Sequence, residues 1–155
     1  AFAYIFGVKD GYQTNYIFNP QDKLLTRIDK DVFLALPDPP AETLDDDHPY
    51  TREIAACELN NLKYIPAFRN GEEREDILRA FTVGFKEKYS DIKEKHDHLL
   101  DLVRKTRIKW GEVRPPQDSN DYLRETERMV STVSLLIQQD PDAVVKSLFQ
   151  AKKSD

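Results

Sequence analysis

Residues 73–110 read EREDILRAFTVGFKEKYSDIKEKHDHLLDLVRKTRIKW, and the spacing within them decides the fold. A seam runs through Leu78, Phe81, Phe85, Tyr89, Ile92, His96, Leu99, Val103, Thr106 and Trp110. Successive members are three or four residues apart, the near-heptad period of a coiled-coil-like helix with one stripe turned toward a partner. One extra four-residue step acts as a stutter. Asn70 and Glu73 have capping-box spacing ahead of the seam. Gly111, with Pro115-Pro116 behind it, marks its end. Asp91–Lys95 and Asp101–Lys105 support the exposed faces at i, i+4. A continuous helix of this length extends about 57 Å, at ~1.5 Å per residue. Gly84, preceded by Thr82 and Val83, is the expected weak point.

Helical spacing continues on both sides. Upstream, Ile54, Ala55, Leu59 and Leu62 share one face of a helix that begins near Pro49. Downstream, Asp118 or Ser119 caps a helix whose stripe is Tyr122, Thr126, Met129, Val133 and Ile137. Asp140-Pro141 then supplies a cap residue and an N1 proline for a last helix carrying Val144, Val145, Leu148 and Phe149.

The first 36 residues follow a different rule. Tyr4, Phe6 and Val8 alternate with Ala3, Ile5 and Gly7, and Asp10-Gly11 is a strong hairpin signal. A return strand reads Tyr12, Thr14, Tyr16 and Phe18, Asn19-Pro20-Gln21-Asp22 forms a second turn, and Leu24 to Ile28 gives a third strand. Residues 37–50, with Pro37, Pro39, Pro40, Pro49 and Asp45-Asp46-Asp47, read as an acidic, proline-rich connector. The expected fold class is therefore α+β. An N-terminal three-stranded antiparallel meander (1–36) precedes a mainly helical region (51–151) with one long central helix, all in a single domain spanning 1–155.

Composition sets the limits on function. Of 155 residues, 33% are charged and 39% hydrophobic, and 23 Lys and Arg stand against 28 Asp and Glu for a net charge of −5. That balance disfavours a general nucleic-acid coat, which needs net positive surface. No apolar run reaches the roughly 18 residues of a membrane span, and the opening residues lack the order of a secretory signal. Cys57 is the only cysteine, so no internal disulfide forms and an intracellular setting, cytoplasmic or nuclear, is expected.

Catalytic patterns are missing from the sequence. Asp45-Asp46-Asp47-His48 is rich in hard ligands, but neighbours along a loop rarely converge on one ion. Glu94 and His98 share a helix face, yet neither Glu-x-x-His nor His-Glu-x-x-His occurs. His96 falls on the seam and reads as a polar register-setting residue. Cys57 lacks a positioned base, and no Gly-x-Ser-x-Gly or Gly-x-Gly-x-x-Gly is present. Neither an enzyme, a metal site, a cofactor nor a small-molecule substrate is expected.

What the sequence favours is a non-enzymatic interaction or assembly domain. Its long amphipathic helix pairs with a copy of itself or with another protein's helix, through Ile92, His96, Leu99, Val103 and Trp110. The alternative is a nucleic-acid-associated accessory protein. Arg104, Lys105, Arg107, Lys109 and Arg114 surround Trp110 with only Glu112 opposing them, a pattern suited to phosphates and a stacked base.

Overall fold

The computed structural model describes residues 1–9, 16–22, 24–27, 34–37, 47–59, 62, 65–71 and 73–153. In chain order the elements are α1 (Phe2–Phe6), β1 (Tyr16–Asn19), β2 (Leu24–Arg27), α2 (Pro49–Leu59), α3 (Pro66–Arg69), α4 (Arg74–Glu94), α5 (His96–Val113), α6 (Ser119–Gln138) and α7 (Pro141–Lys153). The α+β expectation is overturned: seven helices make up most of the described chain, and among the described residues no sheet covers the core. The remaining β structure is a ribbon of two four-residue strands, antiparallel, with Tyr16 opposite Arg27 and Asn19 opposite Leu24. The Asp10-Gly11 turn, Tyr12, Thr14 and most of the 37–50 connector lie outside the described residues.

The N-terminal segment shows why the strand reading failed. Tyr4, Ile5, Phe6 and Val8 are all nearly inaccessible. A short run that is apolar on every side fits a buried helix turn as well as a buried strand. Gly7 decides between them. It adopts φ +59 as the left-handed residue closing α1, and its N–H donates to the carbonyl of Ala3. The backbone of 34–35 then crosses this corner, with Leu34 N–H donating to Phe6 O (2.8 Å) and Ala35 N–H to Gly7 O (3.2 Å). A Cβ on Gly7 would lie 2.8 Å from the Ala35 backbone, so the crossing requires glycine.

The long central helix is two helices. The break is at Lys95, between α4 and α5, and Gly84 lies inside intact α4. Lys95 leaves helical geometry (φ −102, ψ 17), and its N–H turns back to the carbonyls of Ile92 and Lys93. Two features of the chain account for the position. Residues 93–98, Lys-Glu-Lys-His-Asp-His, contain no aliphatic side chain to hold a continuous helix to the apolar core. On either side the helices follow different neighbours: α4 packs on α7, and α5 pairs with α6. Gly84 has empty space beside it and no reason to bend. The expected ends shift too. Asn70 closes α3, Glu73 precedes α4 in a left-handed conformation without a side-chain cap, and α5 runs past Gly111 to Val113.

The later helices start where their caps are. The Asp118 carboxylate accepts from the N–H groups of Asn120 (2.9 Å) and Asp121 (3.0 Å) at the head of α6. Asp140 accepts from Asp142 N–H ahead of α7. One cluster of buried side chains draws on all seven helices, including Ile5, Ile54, Phe68, Tyr89, Val103, Ile137 and Leu148. Three buried tyrosines cross-tie it. The hydroxyls of Tyr50 and Tyr89 donate to the carbonyls of Tyr4 and Leu136, and Tyr4 donates to Gln139 Oε1 at 2.6 Å.

Candidate interaction groove

One side of α4 stays open. A groove of about 830 Å³ runs between α1 and α4 and on to the start of α5. Its walls are Phe2, Phe81, Phe85, Ile92 and Leu99, and its floor is Ala80 and Gly84. The aromatic wall is ordered by its own contacts. Phe81 stacks on Phe85 with ring centres 6.0 Å apart, and Phe2 lies 4.7 Å from Phe6. Phe2 nonetheless keeps 46% of its surface exposed. Small residues at 80 and 84 occupy successive turns of α4, so an approaching chain meets the helix backbone there closely. At the rim, Lys88 pairs with Asp91 at 3.2 Å. Lys95 stands at the far end, and among the described residues it has no ion-pair partner. A second hollow of about 520 Å³ lies across Ala80, between Pro66, Ile77, Glu73 and Asp76.

The five seam residues expected to bind a partner are divided by this geometry. Ile92 and Leu99 border the groove. Val103 is 5% exposed and belongs to the core. His96 is turned inward, its Nε2 2.8 Å from Ser134 Oγ on α6 and its Nδ1 2.9 Å from Asp97 Oδ1. Trp110 is 52% exposed near the end of α5. Leu102 and Val113 on the same helix are also exposed.

The five basic residues proposed for phosphate contact are engaged within the fold. Arg104 makes a two-pronged contact with Glu127 at 3.0 and 3.3 Å, which raises its pKa further. Arg107 lies 4.2 Å from the centre of the Tyr122 ring and 3.8 Å from Glu125. Lys105 pairs with Asp101 at 2.6 Å and Lys109 with Glu112 at 3.1 Å. Arg114 covers Trp110 at 5.3 Å. The Asp101–Lys105 pair matches the i, i+4 expectation, whereas Asp91 turns to Lys88 and not to Lys95.

The Asp97–His96–Ser134 arrangement has the connectivity of a hydrolytic triad, but not its surroundings. The Asp97 carboxylate is fully exposed, Ser134 sits mid-helix, and neither Ser134 nor His96 lines the groove. The three groups act as a strut holding the head of α5 to α6. Among the described residues, no group of three or more His, Cys, Asp and Glu side chains is placed to hold a metal ion, and no helix is long and apolar enough to cross a membrane. Asp45 and Asp46 lie outside the described residues, Asp47 pairs with Arg52, and Cys57 is half-buried in α2.

Sequence reasoning missed the α1 side of the groove, Phe2 and Phe6, because those residues were assigned to a strand. It also missed Gly84 as a floor residue. The signal for the floor was the Ala80–Gly84 spacing, two small residues one turn apart on an otherwise bulky helix. Compared with known proteins, the chain matches no family model, and no curated protein or solved structure reaches the similarity of a match.

Proposed function

We propose that this chain is a non-enzymatic protein-interaction domain that receives a partner helix in the groove between α1 and α4. The supporting observation is the groove itself. It is open and apolar, its volume is that of a binding site, and two of the seam residues, Ile92 and Leu99, stand in its wall. Aromatic and aliphatic side chains make up most of its lining. A small-residue floor favours a helix as the occupant, since helices meet closely where side chains are short. The nucleic-acid reading is weaker, because four of the five basic side chains on 104–114 already face carboxylates.

The test uses a fluorescent amphipathic peptide of about 16 residues with one aliphatic face, titrated with wild type and with Gly84→Leu. A side chain at 84 points into open space, so the variant folds while its groove is filled. The expected result is saturable binding by wild type and at least a tenfold loss in the variant. Equal binding by both proteins, or none by either, removes the proposal.

A further inference from the structure

We draw no further inference here: the strongest candidate, the hollow between α3 and the head of α4 with Glu73 and Asp76 at its edge, carries nothing, because Asp76 already pairs with Arg79 at 3.4 Å and nothing in the structure shows what covers its apolar walls.

Discussion

The ring of Tyr122 lies against the backbone of Gly111 so closely that a Cβ at 111 would be 2.9 Å from Tyr122 Cε1. Two contacts hold the ring in place. Its hydroxyl donates to Arg107 O at 2.6 Å, and the Arg107 guanidinium covers its face at 4.2 Å. This is where α5 and α6 come together.

The two helical glycines should therefore respond in opposite ways to the same change. Alanine is the better helix former by about 1 kcal/mol. At Gly84, where nothing lies within 4 Å of the new methyl, Gly84→Ala raises stability by about 0.5–1 kcal/mol. At Gly111 the clash outweighs propensity, and Gly111→Ala loses roughly 1–2 kcal/mol. Urea unfolding of both variants checks this. Stabilisation at both sites would mean that α5 and α6 are not packed as described.

Alkali should unfold the protein through its buried tyrosines. Burial pushes the hydroxyls of Tyr4, Tyr50 and Tyr89 well above their ordinary range, and the charge of a neighbouring phenolate adds to this for Tyr50 and Tyr89. A hydroxyl that resists ionisation only in the folded state contributes fully below the unfolded tyrosine value near 10 and is lost as pH rises beyond it. The tyrosine contribution should stay level to about pH 9 and then fall by up to ~1.4 kcal/mol per pH unit for each such tyrosine. Tyr89→Phe should reduce that slope while costing about 1–3 kcal/mol at neutral pH, because Leu136 O loses its donor. Thermal melts across the alkaline range, with phenolate absorbance recorded alongside, give both quantities. Tyrosine ionisation that runs ahead of unfolding would contradict the burial.

Asp118 should behave as a cap and not as a binding group. Asp118→Ala is expected to cost about 1 kcal/mol and Asp118→Asn much less, since the amide oxygen still accepts from the α6 N–H groups. Chemical denaturation of the two variants tells them apart. Equal losses would show that charge, and not the hydrogen bonds, is what matters there.

The basic segment should prove structural. Replacing Arg104, Arg107 and Lys109 together by Gln is expected to lower the melting temperature, because the hairpin loses its ties to Glu127 and Glu125. Retention on an immobilised polynucleotide at low salt should hardly change. Strong retention by wild type that the triple variant loses, with unaltered melting, would restore the nucleic-acid reading.

How far the fold could be read from the sequence depended on how local the signal was. Asp118 and Asp140-Pro141 announced α6 and α7 through contacts within a few residues. The seam from Leu78 to Val103 reads as a stripe turned toward a partner, and the fold divides it: Tyr89 and Val103 are buried, while Ile92 and Leu99 border the groove. The junction at Lys95 depends on which helix each half packs against, and period says nothing about that. At the N-terminus, Tyr4, Ile5 and Phe6 are buried on every side, so alternation carried no information and Gly7 was the only local clue. Phe2 and Phe85 become one wall only after α1 folds against α4, a relation between residues some eighty positions apart.

Lys95 also makes the hairpin a long arm on a short pivot. Val113 is eighteen residues beyond it, about 27 Å of helix, so a ten-degree swing at the pivot carries the tip ~5 Å. Distance labels on the tip and on α7 would turn small adjustments at the groove's edge into readily measured displacements.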